Sequence, residues 1–163
     1  MRIKTEKILV TTDFSDNATA GLSLAANMAQ TFGAELYLLN VISPDESDKI
    51  VNSIEPRMPL DILAARRKER LNRYFEETIS EEDRKGIILH PVVRFGVAWE
   101  EICKLAEEFG TDVVVMATHG RTGLAHLMSG SVTEKVVRKA SRPVLTVRSR
   151  KEVVERAITA KAS

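Results

Sequence analysis

The feature that most constrains this chain is an apolar run, Val113 to Ala117, followed after one short loop by a helix start. Polar residues bound the run and three of its five members are valine, so neither face is left for water. Such a segment reads as a strand buried on both sides of a parallel sheet. The next thirteen residues, 118–130, carry Gly120, Gly123 and Gly130, three of the eight glycines. Ser131-Val132-Thr133-Glu134 then spells a capping box, S-x-x-E. A strand, a glycine-rich loop and a helix N-terminus are together the parts of a phosphate cradle. The first helical turn has unpaired N–H groups and the positive end of the macrodipole. Glycines let further N–H groups converge on the same anion. Arg121 and the hydroxyls of Ser129, Ser131 and Thr133 are candidate extra donors. A plain loop before a well-capped helix uses the same residues, and spacing alone leaves the two readings level.

The rest of the chain alternates strand and helix. Residues 7–12 form a short apolar strand ending in Thr11-Thr12-Asp13, and Ser15 can cap a helix with Leu22, Ala25, Ala26, Ala29 and Phe32 on one face. Gly33 stops that helix, and Leu36 to Ile42 makes a second buried strand. Residues 43–58 hold two prolines and many charges without a period, and read as a surface loop. Pro59 opens a helix with Leu60, Leu63, Leu71, Phe75 and Ile79 as its stripe, interrupted at Arg67. The run Arg66-Arg67-Lys68, answered by Glu76, Glu77, Glu81 and Glu82, reads as a solvated face. A third strand, 87–93, contains Pro91, which has no N–H to donate and so belongs at an edge or a bulge. A helix with Trp99, Ile102, Cys103, Leu105, Ala106 and Phe109 inward comes next, then the strand at 113–117, a helix at 131–140 and a last strand, Val144 to Val147. Five strands separated by four helices make a doubly wound α/β sheet with right-handed crossovers. Ligands of such sheets bind beyond the carboxyl ends of the strands, where strand order reverses.

Composition narrows the function. The 163 residues fit one domain. A net charge of +1 gives no electrostatic reason to expect nucleic acid or an anionic membrane as partner, and no apolar run approaches the roughly 20 residues of a membrane helix. The opening MRIKTEKILV lacks the apolar stretch of a secretory signal. Cys103 is the only cysteine and sits at helical spacing among apolar residues, which suits a packed thiol and a reducing compartment, so the cytoplasm is expected. His90, His119 and His126 lack metal-ligand spacing, and His90 reads as a strand residue facing water. No nucleophile–base set, paired carboxylates, G-x-x-x-x-G-K-[ST] or G-x-G-x-x-G is present, so the chain does not read as an enzyme.

Two separated segments resemble one family. KILVTTDFSDNATAGLSLAANMAQTFGAELYLLNVI near the start, and VVVMATHGRTGLAHLMSGSVTEKVV with RPVLTV near the end, are similar to the opening and closing segments of universal stress proteins. The resemblance spans residues 7–148, and its loop follows the family's nucleotide motif G-x2-G-x9-G-[ST] except that Ala117 stands at the first glycine. The family implies a Rossmann-like fold with a five-stranded parallel sheet in the order 3-2-1-4-5. That order puts the strand of Pro91 at an edge, as its chemistry requires, and sets the Thr12-Asp13 end of the first strand against the 117–130 loop.

The resemblance further implies an ATP site, with or without Mg²⁺. Asp13 would bond a ribose hydroxyl, beside Thr11 and Thr12, and Val41 would offer backbone to adenine. Met116, Ala117, His119, Gly120, Arg121, Gly123, Gly130, Ser131 and Val132 would line the phosphate side. Asp13 is also compatible with a role at the helix N-terminal dipole, and Val41 with a buried strand. The last strand, Val144 to Val147, would pair two chains into a homodimer, which would cover an otherwise exposed edge. The expected activity is therefore a cytosolic nucleotide-binding regulator of a stress response. The alternatives are a nucleotide-independent interaction protein, favoured by the methyl of Ala117, and a slow ATPase or self-phosphorylating protein.

Residues 1–148 are expected to form the nucleotide-binding domain and 149–163 a C-terminal helical extension. The extension repeats the capping-box spelling at Ser149-Arg150-Lys151-Glu152 and has a short apolar stripe at Val153, Val154, Ala157 and Ile158. Truncation after Arg150 should therefore lower the melting point or change the gel-filtration size. A chain unchanged in both measurements has no packed extension.

Overall fold

The computed structural model describes residues 4–54, 58–118 and 131–148, without the side chains of 51–54 and Ser131. The elements run β1 (Lys7–Thr11), α1 (Asp16–Phe32), β2 (Glu35–Ile42), α2 (Pro44–Ile54), α3 (Leu60–Thr78), β3 (Leu89–Phe95), α4 (Ala98–Glu108), β4 (Val113–Ala117), α5 (Ser131–Lys139) and β5 (Val144–Val147). All four strand pairings are parallel, in the order β3-β2-β1-β4-β5. The expected order is the observed one.

Parallel strands in the centre of the sheet bury both faces, and the side-chain alternation shows which helix covers which. Ile8, Val10, Leu36, Leu38 and Val115 pack with Leu22, Ala25, Ala26 and Ala29 of α1 and with Leu71 and Phe75 of α3. Leu9, Leu39, Val114 and Met116 pack with Ile102, Leu105 and Ala106 of α4 and Val136 of α5. β1 and β4 thus contribute alternate residues to two separate cores, which is why their sequences show no polar face. The small residues of α1 let it lie close against the sheet. A Cβ added at Gly21 would come within 3.4 Å of the Ala117 backbone nitrogen. Ser15 caps α1 by accepting from the Ala18 N–H at 3.3 Å, and Gly33 ends it in the left-handed conformation, φ 66°. At the opposite end of the sheet, the Asp112 carboxylate accepts from the Glu6 and Lys7 N–H groups at 2.7 and 2.9 Å, tying the start of β4 to the start of β1.

Several expectations need correction. Residues 44–54 form α2, so the chain has five helices among the described residues. Its start is Ser43-Pro44, where the Ser43 hydroxyl accepts from the Glu46 N–H at 3.2 Å. A serine cap with proline in the first turn is a helix signal, outweighed in the sequence by the polar run Asp45 to Lys49. Arg67 does not face solvent with Arg66 and Lys68. It is 6% exposed, while its two flanking residues lie outside. Phe32 and Leu60, assigned to inward stripes, are 55% and 53% exposed; each is the terminal residue of its helix. β3 runs from Leu89 to Phe95, two residues later than expected, and Pro91 does lie on an edge strand, paired with Leu38.

His90 is also not simply a water-facing residue. Its ring stacks on Tyr37 with centroids 4.6 Å apart, and its Nε2 lies 2.8 Å from Glu35 Oε2, which also accepts the Tyr37 hydroxyl at 3.0 Å. The Tyr37 hydrogen bond, then that of His90, holds the Glu35 carboxyl below its ordinary value of 4.5. A carboxyl depressed in the folded state favours folding above the unfolded value, and that contribution is lost as pH falls through the folded one. The stability advantage of the native chain over Glu35→Gln should therefore shrink as pH is lowered from about 6 to about 3. Urea midpoints measured at several pH values check this, and a constant difference rejects it.

Candidate functional site

At the carboxyl end of β1 the chain leaves the sheet through Thr12, Asp13, Phe14 and Ser15. The Thr12 N–H still donates to Leu39 O at 2.9 Å, as if β1 ran one residue further. The Thr12 carbonyl then has no strand to bond. The buried Asn40 side chain on β2 replaces it, donating from Nδ2 at 2.8 Å. The turn closes on itself. Thr12 Oγ1 accepts from the Phe14 N–H at 2.9 Å, and Asp13 Oδ1 accepts from the Ser15 N–H at 3.0 Å. Both are the local side-chain turns that threonine and aspartate make readily. Phe14 takes φ 64°, unusual for a bulky residue. Its ring lies edge-on to Tyr74 at 5.4 Å and under the Arg70 guanidinium at 3.9 Å, which retains it in that conformation.

Beside this turn stands the end of β4, since β1 and β4 are neighbours with Val10 opposite Val115. Met116 is 3% exposed, with its side chain in the core against α4 and α5. It can meet a ligand only through its backbone. Ala117 is half-buried, and its carbonyl accepts the Thr133 hydroxyl of α5 at 3.0 Å. Thr133 is 5% exposed and committed to that carbonyl, so it is not the extra anion donor suggested by its position. The bond has a different use: it fastens the first turn of α5 to the end of β4 across residues 118–130. Val132 also packs against the core, leaving its first-turn backbone as its only polar offering. Thr11 is half-buried opposite Leu39, and Val41 turns its side chain toward the α4 side of the sheet. His119, Gly120, Arg121, Gly123, Ser129 and Gly130 lie outside the described residues.

The strand order thus brings Thr11, Thr12 and Asp13 to the same end of the sheet as Val41, Met116 and Ala117. Asn40, Arg67, Glu46 and Phe14 were not anticipated there. Asn40 had a readable signal, an amide inside the otherwise apolar LYLLNVI, and Arg67 another, a charge interrupting an apolar stripe. Arg67 donates from one terminal nitrogen to Asn40 Oδ1 at 3.1 Å and from the other to Glu46 Oε1 at 2.9 Å. Cys103 lies among the α4 side chains with its thiol pushed up by burial, as expected of a packed rather than reactive cysteine. Among the described residues no group of three or more His, Cys, Asp or Glu could hold a metal, and no helix is long and apolar enough to cross a membrane.

The comparison with known proteins decides the family. The model of the universal stress protein family matches residues 4–148. The chain belongs to the universal stress protein family. Universal stress protein MJ0577 of Methanocaldococcus jannaschii is 31% identical over 91% of this chain and 98% of its own. The solved structure of MJ0577 superposes with a TM-score of 0.73 at 30% identity, covering 91% of this chain and 99% of that one. Two other structures share the fold at 19% identity. A universal stress protein in complex with cAMP gives a TM-score of 0.62 over 90% of this chain and 98% of that one. The Archaeoglobus fulgidus universal stress protein in complex with dAMP gives 0.59 over 88% and 98%.

Within this family member, the Thr133–Ala117 bond is separately testable. Thr133→Val keeps the shape but leaves the carbonyl without its donor, and should cost about 1 kcal/mol. Urea unfolding measures it, and an unchanged midpoint shows that the bond does not fasten α5.

Proposed function

We propose that this universal stress protein is a cytosolic, dimeric nucleotide-binding regulator. Adenine nucleotide, ATP with or without Mg²⁺, would sit between the Thr11-Thr12-Asp13 turn and the segment from Ala117 to Val132. The observation that carries the reading is the adjacency of the β1 and β4 ends at the centre of the order β3-β2-β1-β4-β5, the switch point where such sheets hold ligands. The bonding of the turn agrees with it. Asp13 is held by the Ser15 N–H in a partly exposed position, suited to a ribose hydroxyl. The first turn of α5 supplies the N–H groups of Ser131 and Val132 to phosphate, with Gly130, Gly123, Gly120, His119 and Arg121 completing the cradle. That two relatives of the same fold form complexes with cAMP and dAMP supports the adenine class of ligand.

A ligand at about 100 times its Kd adds ~2.7 kcal/mol of stability. At this chain length that corresponds to a rise in Tm of roughly 5–10 °C. A melting scan with millimolar ATP·Mg²⁺ checks the reading, and no shift rejects it. One observation favours a second reading, a nucleotide-independent interaction protein. Ala117 carries a methyl where the family motif has glycine, beside the close approach of Gly21. If Ala117→Gly melts higher with ATP and the native chain does not, the second reading holds.

The dimer would form through β5. This strand is at the sheet edge, and Leu145 is 38% exposed on it with Thr146 also outside. An unpaired edge of this kind is covered in stable proteins, and a second β5 supplies the cover. Thr146→Pro removes a backbone donor from the edge and should shift the chain from dimer to monomer by gel filtration. A native chain that already elutes as a monomer overturns the dimer.

A further inference from the structure

We infer that Asn40 and Arg67 are positioning residues for the nucleotide site, setting the Thr12-Asp13 turn through a buried relay without touching ligand. The inference rests on the nucleotide reading above and adds two residues that were not among the expected site residues. The relay runs from α2 to the turn: Glu46 Oε1 accepts from Arg67 at 2.9 Å, Arg67 donates to Asn40 Oδ1 at 3.1 Å, and Asn40 Nδ2 donates to Thr12 O at 2.8 Å. Asn40 is 3% exposed and Arg67 6%, so the two bonds made by Asn40 are shielded from bulk water, while the outer bond to the partly exposed Glu46 is not.

The order of donors and acceptors gives the relay a direction. An amide can present either end to a neighbour, and only the nitrogen end satisfies the Thr12 carbonyl. Arg67 has donors alone, so it must face Asn40 Oδ1, which turns Nδ2 toward Thr12. Glu46 in turn aims the guanidinium. The Thr12 carbonyl belongs to the peptide plane that leads into Asp13, so its direction sets where the Asp13 carboxylate begins. Phe14 adds a second link, since the same Arg67 guanidinium stands 5.7 Å from its ring centroid and Phe14 holds the strained φ of the turn. A buried arginine on α3 therefore reaches the turn twice, by hydrogen bonds through Asn40 and by contact with Phe14.

The test separates positioning from simple stability. Nucleotide affinity is measured by calorimetric titration with ATP·Mg²⁺, well below the melting point, for the native chain, Asn40→Leu, Arg67→Met and the double variant. Core variant Ile102→Val serves as a destabilised control away from the relay. The expected result is a Kd raised about tenfold in each single variant, no further rise in the double variant, and no change in the control. Arg67→Lys has one ammonium for two acceptors and should fall between native and Arg67→Met. Amide hydrogen exchange of Phe14 and Ser15 in the nucleotide-free chain is the second readout, expected to accelerate at least tenfold in Asn40→Leu. Native binding with an unchanged Kd in folded Asn40→Leu and Arg67→Met overturns the inference. If the native chain binds no ATP, the nucleotide reading is overturned and the relay is judged by exchange alone. Acceleration confined to the turn then upholds the relay, and unchanged exchange overturns it.

Discussion

Everything in this fold depends on β1 and β4 being buried on both faces at once. Each strand alternates its side chains between a core shared with α1 and α3 and a core shared with α4 and α5. Two faces must then be covered by helices from one chain, and the connections have to depart from the centre in opposite directions. β1 leads to β2 and β3 on one side, while β4 and β5 extend the sheet on the other. The carboxyl ends of β1 and β4 therefore lie side by side at the point where strand order reverses. The position of the candidate site is a consequence of core formation: the same two-sided burial that stabilises the sheet puts the ends of β1 and β4 together.

The polar groups at that end of the sheet are dictated by where the strands stop. A strand that ends leaves carbonyls without ladder partners, and each one near the core needs a donor. Thr12 O is met by Asn40 and Ala117 O by Thr133, both buried or nearly so. Among the described residues no buried side-chain nitrogen or oxygen lacks a partner. These bonds rigidify the rim on the β1 side and join α5 to β4 on the other. Arg67 is part of the same satisfaction, a charge admitted to the interior because Asn40 and Glu46 receive both arms of its guanidinium. Among the described residues, these pairings are what hold in place a turn that carries a left-handed phenylalanine.

Legibility tracked the strength of the local signal. β2 and β4 were readable because runs such as LYLLNVI and VVVMA offer no amphipathic alternative, and Pro91 pointed to an edge because it lacks a ladder donor. The cap at Ser15 and the stop at Gly33 were equally readable, being backbone chemistry carried by single residues. α2 was missed because its stability is not local: its sequence is polar, and a link to the rest is Glu46 reaching Arg67 on another helix. Arg67 was misread for the same reason. Within Arg66-Arg67-Lys68 the three cations look alike in composition; the middle one alone falls on the apolar stripe, and its partner Asn40 is brought to it only by folding. Thr133 was assigned to an anion on the strength of its place in a helix start, whereas the neighbouring Ala117 carbonyl claims its hydroxyl.

By itself, then, the sequence determined the class of the fold, the family and the two chain segments whose ends the sheet brings together. Hydrophobic period, glycine placement and capping act over a few residues, so they are written where they operate. Only the tertiary structure decided which polar side chains are consumed in holding the rim. That choice depends on partners 16 to 28 residues apart, such as Thr133 with Ala117 and Asn40 with Thr12. A hydrogen bond is made by whatever donor folding brings within about 3 Å, and no local pattern records that distance.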